Sequence, residues 1–358
     1  MMTQVERAET EQILRQGAAR YPEMAPEDGV KLLFQNEFGG GHLIADPMGS
    51  LTALRAEYAG VEREPGAPLT EDIGNGMVRV HLRGLDEAVH PLETLNTDFV
   101  RSARLHTGER ERFLEKLDIL KALTRQGVFP FSQEKLEEYR NGYVAAGCPP
   151  VSHSERYRTA YRPAYRVVEK KRSLTMLTAE LLERSARGEK LLVALDGRCA
   201  AGKTTLAETL AARYGWSLVH MDHFFLRPEQ RTPQRYQTPG ENVDHERFLE
   251  EVLLPLRAGK TAIYRPFCCQ TQRLGDPVRV EPGAVTIIEG SYSCHRSLWE
   301  YYDLRVFLTL EPSLQLERIR KRNGPEGLLA FQERWIPLEE AYFAGAGLEE
   351  RCEYQLEP

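Results

Sequence analysis

Apolar positions follow a helical rhythm in the first half of the chain and alternate between strand-like and helix-like blocks in the second. In "RERFLEKLDILKALTRQG" (Arg110–Gly127), Phe113, Leu114, Leu117, Leu120 and Leu123 recur every three or four residues, which predicts one buried helix face, with Gly127 as the stop. "GMVRVHL" (Gly76–Leu82) alternates and predicts a short strand. Residues 1–150 therefore read as a mostly helical domain. "GCPPVSHSERYRTAYRPAYR" (Gly147–Arg166) is rich in Pro, Tyr and Arg, and a linker is predicted over 151–172. From Ser173 a helix pattern runs to Arg187, then a strand "KLLVAL", a helix Lys203–Tyr214 and a strand "SLVHM". "VDHERFLEEVLLPLRAG" predicts a helix ending at Gly259, and "TAIYRPF" an extended segment. "AVTIIEG" and "DLRVFLTL" are branched, apolar runs of buried-strand type, followed by helix patterns at Ser313–Arg322 and Gly327–Phe343 and a last strand in "CEYQLE". Strands alternating with helices predict an α/β domain over 173–358, its parallel sheet covered on both faces by helices.

Composition changes this picture little. The 358 residues are 41% hydrophobic and 28% charged, as in a soluble globular protein. A net charge of −6 argues against a nucleic-acid surface, and so against an RNA-modifying kinase. No apolar run reaches the roughly 18–20 residues of a membrane helix, and the opening "MMTQVERAETEQILRQG" is too polar for a secretory signal. The six cysteines form no CxxC pair and read as reduced thiols of a cytoplasmic protein. Homo-oligomerisation is left open.

Candidate chemistry changes it more. Gly197-Arg198-Cys199-Ala200-Ala201-Gly202-Lys203-Thr204 fits G-x-x-x-x-G-K-[ST] in full and joins an apolar strand to a helix. Glycines let backbone N–H groups turn around phosphates, and the following helix adds the positive end of its dipole. Lys203 is placed for the β/γ oxygens and Thr204 for Mg²⁺. Asp222 closes the next strand, at the edge where open α/β sheets bind ligands, as a base toward a hydroxyl or as a cap of the following turn. Glu289 closes "VTIIE" at the same edge, as a Mg²⁺ ligand or a surface acid. The cations Arg318, Arg320, Lys321 and Arg322 form either a lid over the phosphates or a solvated helix face. An Asn-Lys-x-Asp guanine motif and an Asp-Glu pair of motor ATPases are missing. Tyr264 and Arg265, after a short strand, are candidates for an acceptor pocket. Cys199 reads as a small filler, with a lowered pKa beside phosphate-binding amides as the alternative.

Residues 190–355 resemble the uridine kinase and phosphoribulokinase-like branch of P-loop kinases, on "GRCAAGKTT", "MDHFF", "NVDHERF", "YRPF", "IIEGSY" and "RIRKR" in that order. The resemblance implies that Gly197–Thr205 bind ATP, Asp222 is the base, Asp244 contacts sugar hydroxyls, Glu289 holds Mg²⁺, and Arg318 and Arg322 contact phosphates. It departs at Asp222-His223-Phe224-Phe225, where that family has Asp-Ser-Phe-Tyr, and at "YRPFCCQTQRL", where Gln270 or Gln272 stands near the family's base-reading histidine. Asp244 also reads as a helix cap. The function implied is ATP-dependent phosphorylation of a small hydroxylated metabolite, a nucleoside or a sugar. The alternative is a nucleotide-dependent regulatory ATPase acting on the N-terminal domain.

In the first half, Gly39-Gly40-Gly41-His42, with Glu37 before it, is the most specific-looking segment. His153, Ser154 and Arg156 are candidates for a second anion or acceptor site, against ordinary loop structure. Three readings of this half stay open: an acceptor-recognition domain, a second catalytic domain, or a dimerisation module.

Overall fold

The computed structural model describes residues 1–40, 46–64 and 66–357. Gly41 and His42 lie outside the described residues. The chain divides into two compact units, Met1–Met176 and Leu177–Pro358. Among the described residues, no helix is long and apolar enough to cross a membrane.

In the N-terminal unit, helices α1 (Gln4–Arg20), α2 (Pro26–Phe38), α3 (Pro47–Gly60), α4 (Leu92–Leu105), α5 (Arg110–Arg125), α6 (Gln133–Ala145) and α7 (Glu155–Tyr161) accompany a small antiparallel sheet. Its strands are β1 (Thr70–Asp72), β2 (Met77–His81) and β3 (Tyr165–Glu169), in that order. The predicted apolar stripe of α5 is largely the core: Phe113, Leu117, Leu120 and Leu123 pack with Leu14, Leu33 and Ile73, while Leu114 lies at the edge. Gly127, at φ 74°, follows the helix as expected. Residues 151–172 are not a free linker. They hold α7 and β3, and β3 pairs with β2 from Tyr165↔His81 to Glu169↔Met77. The reason is local: Val167 and Val168 are buried, but Pro- and Arg-rich flanks hide this short apolar pair from a periodicity reading.

Helix α8 (Leu174–Ala186) leads into the C-terminal unit. There β4 (Leu191–Gly197), β5 (Ser217–His220), β10 (Val285–Glu289), β11 (Leu304–Leu308) and β12 (Tyr354–Leu356) form a five-stranded sheet, ordered β12-β11-β4-β10-β5. All its pairings are parallel. Every residue of β4 and β10 is buried, as expected for parallel strands covered on both faces. Helix α9 (Lys203–Tyr214) packs on β4, β5 and β10. On Leu192, Ala194 and Ile288 pack Phe248 and Val252, from a helix over 245–257, and Tyr342 and Phe343, from the helix Ile336–Ala346. The fold class is thus mixed α/β with a helical N-terminal region. Between β5 and β10 run four short strands that form two antiparallel pairs. They are β6 (Ala262–Tyr264) with β9 (Val278–Val280), and β7 (Phe267–Cys268) with β8 (Arg273–Leu274).

The strand order positions the site. β4 lies between β11 and β10, so the chain leaving β4 passes over β10 to reach β5. Register sets Glu289 opposite Leu195 on one side and His220 on the other. The C-terminal ends of three strands converge there, at a topological switch point.

Candidate functional site

The loop after β4 begins at Gly197, whose φ is 130° and where a Cβ would lie 2.0 Å from the Leu308 carbonyl oxygen. Only glycine fits this close approach. The Arg198 N–H donates to the same oxygen at 2.9 Å. Ala200 (φ 61°) and Gly202 (φ 88°) adopt left-handed backbone, which curls the loop into the start of α9. Lys203 Nζ lies over this loop, donating to the carbonyls of Gly197 (2.6 Å) and Arg198 (3.1 Å). Thr204 and Thr205, in the first turn of α9, face the cavity described below.

One expected loop contact, that of Arg198, is corrected by side-chain direction. Arg198 contributes only its backbone. Its guanidinium donates to Glu340 (2.8 Å) and Thr309 Oγ1 (2.7 Å) and pairs with Glu349 (2.6 Å), against the rings of Phe307 and Phe343. Cys199 is buried in an apolar cluster with Ile319 and Leu328, and burial, aided by the Glu339 charge, pushes its thiol up to about 12. This burial supports the filler reading.

Beyond the loop, Thr204 Oγ1 donates to Glu289 Oε2 at 3.0 Å, and His220 Nδ1 contacts Glu289 Oε1 at 2.5 Å. That hydrogen bond raises the His220 pKa. Gly290 follows, with φ 133°, and a Cβ there would stand 2.9 Å from Met221 Cβ and 3.3 Å from Asp222 Oδ1. The glycine lets the Asp222 turn sit against the end of β10. Asp222 is open to the cavity but walled by protein. That enclosure raises its pKa, the Glu289 charge adds to the rise, and Lys203 opposes it.

These groups line one cavity of about 870 Å³, within the range of small-molecule sites. Cys199, Ala200, Gly202, Lys203, Thr204, Glu289 and Arg318 border its loop end. Asp222, Phe225, Leu226, Tyr236, Asn242, Gln272 and Tyr292 also face it. The predicted cations are split by use. Arg318 and Arg322 face the cavity, with Arg318 donating to the Ala200 carbonyl at 3.1 Å, whereas Arg320 and Lys321 are exposed and not part of its lining. After Arg322 the helix breaks at Gly324 (φ 73°) before Pro325, and the next segment brings Phe331, Arg334 and Trp335 to the wall.

Four expected acceptor contacts are not brought to the cavity. Asp244 is buried as the cap of the helix over 245–257, accepting from Arg247 N at 3.3 Å, and it lies near the guanidinium groups of Arg227 and Arg247. Tyr264 is buried under Phe224 and hydrogen-bonded to His223 at 3.1 Å. Arg265 points outward and donates to the Gly275 carbonyl, bracing the β7–β8 hairpin. Gln270 is exposed in that hairpin's turn, and Gln272, two residues on, reaches the cavity instead.

Sequence reasoning missed Asp196, Glu339, Arg231 and Arg334. Asp196 is fully buried and accepts from the N–H groups of Gly197 (2.7 Å), Tyr292 (3.2 Å) and Cys294 (2.8 Å) and from Tyr342 Oη (2.9 Å). Burial raises its pKa to about 6. An acid closing an apolar strand was the signal, the same one that singled out Glu289. Glu339 accepts from Cys199 N (3.0 Å) and Ser291 Oγ (2.7 Å), tying the loop to the segment after β10. Arg231 sits in a polar loop, and Arg334 lies within the predicted helix Gly327–Phe343, where an arginine carries no signal of facing a cavity.

Glu241, His245 and His295 also place ligand-type atoms within 4.8 Å of one another. Arg296 (3.0 Å) and Arg235 (3.8 Å) already balance Glu241. Ser297 N–H donates to His295 Nδ1 at 3.3 Å, so the neutral ring carries its proton on Nε2, turned toward Glu241 at 3.6 Å. The cluster is an ion-paired brace, with a proton where a metal would need a lone pair.

No family model matches the chain, and no curated protein matches it. Among solved structures, part of the chain is similar to one titled a possible uridine kinase from Bacillus stearothermophilus. The identity is 19% and the TM-score 0.37, over 49% of this chain and 99% of that one. It is also similar to a shikimate kinase from Bacteroides thetaiotaomicron, at 16% identity and a TM-score of 0.23, over 46% of this chain and 84% of that one.

Proposed function

We propose that the C-terminal unit is an ATP-dependent phosphotransferase acting on a hydroxyl of a small metabolite. The observation that supports this reading is the meeting, in one cavity, of the loop–Lys203–Thr204 unit, Glu289 bonded to Thr204, and Asp222 open to the same space. The N–H groups of the loop and Lys203 bind the β- and γ-phosphates, with Lys203 exchanging its carbonyl partners for phosphate oxygens. Thr204 and Glu289 offer two oxygen donors 3.0 Å apart, a set that fits Mg²⁺, and these residues would hold it. The ion, when bound, neutralises phosphate charge. Asp222 orients the acceptor hydroxyl and accepts its proton as the bond to phosphorus forms. Its raised pKa suits a group that must take up a proton. Arg318 and Arg322 stabilise charge on the transferring group. The acceptor classes suggested by the sequence, nucleosides and sugars, fit a wall of Phe225, Tyr236, Asn242 and Gln272.

The test is ADP release from Mg²⁺–ATP across a panel of nucleosides, sugars and their acids and phosphates. Acceptor-stimulated release is expected, and slow release indifferent to every acceptor would favour the regulatory ATPase instead. Asp222→Asn is expected to keep nucleotide binding and lower turnover by about 10²–10⁴-fold. Near-full turnover in that variant would remove Asp222 from the base role.

A further inference from the structure

The cavity holds more positive charge than its acids balance. Arg231, Arg318, Arg322 and Arg334 all line it, and among the described residues none of the four has a carboxylate within 4.0 Å. Elsewhere in this unit some arginines pair with acids, as Arg198 does with Glu340 and Arg235 with Glu246, and others, such as Arg265 and Arg351, bond to backbone carbonyls. A guanidinium is charged at every accessible pH and binds carboxylate or phosphate through a planar fork of donors. With Lys203, the four outnumber the acids Asp222, Glu289 and Glu339 in the same lining, and that positive excess suits anionic groups.

They do not all serve the nucleotide. Arg318 is tied to the loop by its bond to Ala200 O, and Arg322 follows one helical turn later. Arg231 belongs to another wall. Its Nε donates to the Leu226 carbonyl at 3.0 Å, which fixes it to the segment that carries Asp222, and its guanidinium lies 5.9 Å from the Phe267 ring centre. Cys269, in the β7–β8 hairpin's turn, lines the same cavity as Arg231 and Asp222. Arg334 stacks on Tyr236 at 5.0 Å and on Trp335 at 4.7 Å, leaving its N–H edge for a ligand.

On the reading of this cavity as a phosphotransfer site, we propose that the acceptor is itself an anion. It carries a carboxylate or phosphate, bound by Arg231 with Arg334 as the second cation, beside the hydroxyl presented to Asp222. Phe225, Leu226 and Tyr236 cover the carbon skeleton between the two polar ends. A neutral nucleoside or sugar would leave both guanidinium groups without an anionic partner.

The test separates this claim from the reading it rests on. The protein is first saturated with Mg²⁺ and a non-hydrolysable ATP analogue, which occupies the loop, and inorganic phosphate is then titrated by calorimetry. Saturable phosphate binding to wild type is expected, weakened at least about ten-fold in Arg231→Met, the scale of one lost charge-assisted hydrogen bond. The affinity for the analogue should stay unchanged in that variant. Equal phosphate binding by wild type and Arg231→Met, or none by wild type, overturns the proposal while leaving the kinase reading intact. Failure of the analogue to bind overturns both. In turnover, ribose 5-phosphate is compared with ribose, and glycerate with glycerol. Stimulation by a charged member alone supports an anionic acceptor and says which acid is read. Equal stimulation by the neutral member overturns it.

Discussion

The two units treat the same residue type in opposite ways. In the N-terminal unit, buried cations are closed off by partners. Arg79, almost fully buried, donates to Gln35 Oε1 at 2.7 and 3.0 Å and to Glu71 at 3.3 Å, and stacks 4.8 Å over Tyr165. Glu71 also meets His81 (3.1 Å) and Tyr21 Oη (3.0 Å). Lys116 is held by Asn36 and Glu37. His153 and Ser154, the candidates for a second anion site, both bind the Asp28 carboxylate, and Arg156 pairs with Glu23 on the surface. Groups satisfied by an internal acid have little left to offer an external anion, so these histidine, serine and arginine positions follow the loop-structure reading. The cavity of the C-terminal unit keeps four arginines facing space. A buried ion pair says little about function, because its formation and its desolvation nearly offset. A cation kept without an acid in a cavity is informative, because an anionic ligand can complete it.

The sharpest way to break this comparison is to remove one cation from each side. Arg79→Met should destabilise the N-terminal unit by about 3–5 kcal/mol, the usual cost of stranding one member of a buried pair. Arg322→Met should change stability by less than about 0.5 kcal/mol, as for exposed positions, and should weaken nucleotide binding instead. Chemical denaturation and nucleotide titration of both variants measure this. Equal loss of stability would erase the distinction.

Acid separates the units next. Burial lowers the pKa of His153 to about 4, against the opposing bond from Asp28. Unfolded chains therefore take up its proton first, and stability falls as pH drops from about 6.5 to 4. Burial would raise the Glu71 pKa, but Arg79 and His81 outweigh it and bring it to about 2, which costs further stability from about pH 4.5 downward. Each effect is worth up to about 3 kcal/mol. In the C-terminal unit, His295, also held near 4, gives the same loss, but Asp196, raised to about 6, gains stability as pH falls from 6 to its unfolded value. Asp98, also raised by burial, gives a partial gain in the N-terminal unit. Amide exchange at pH 6 and pH 4 should therefore show loss of protection centred on the elements around His153 and Glu71, with a smaller change around Asp196.

Smaller effects sharpen the cavity itself. Gly290→Ala forces a side chain at φ 133° against Met221 and Asp222. It should cost about 1–3 kcal/mol and lower turnover more than nucleotide affinity, which steady-state kinetics resolves. Cysteine labelling should divide the same way on the smallest scale. Hydrogen bonds from Thr271 and the adjacent backbone lower the Cys268 pKa, whereas Cys199 is buried and raised to about 12. Iodoacetamide at pH 8, followed by peptide mapping, should mark Cys268 and spare Cys199.

Much of the C-terminal fold was legible because each part has a strong local cause. Branched apolar runs gave the central strands, and the glycines of the loop and its helix were read at their observed positions. Asp222 and Glu289 were legible as acids closing strands. What failed was anything set by a side chain's direction. Asp244, Tyr264 and Arg265 follow the expected motifs, but capping, ring packing and hairpin bracing turn them away from the cavity. Arg231 reaches it through a loop path that no periodicity encodes, and Arg334 from a helical segment after the break at Gly324, whose direction the spacing does not set. In the N-terminal unit, helix α5 was plain from its spacing, whereas β3 depends on pairing with a strand more than 80 residues earlier in the chain.

Asp196 has a consequence for the thermodynamics of ligand entry. Because its carboxylate gathers the N–H groups of Gly197, Tyr292 and Cys294 and the hydroxyl of Tyr342, the phosphate loop is fastened from beneath before any nucleotide arrives. The ordering entropy of that loop is then charged to folding and not to binding. On the proposed function, nucleotide association would be a docking onto a finished surface, with a small heat-capacity change and a rate set by diffusion and the field of the arginines.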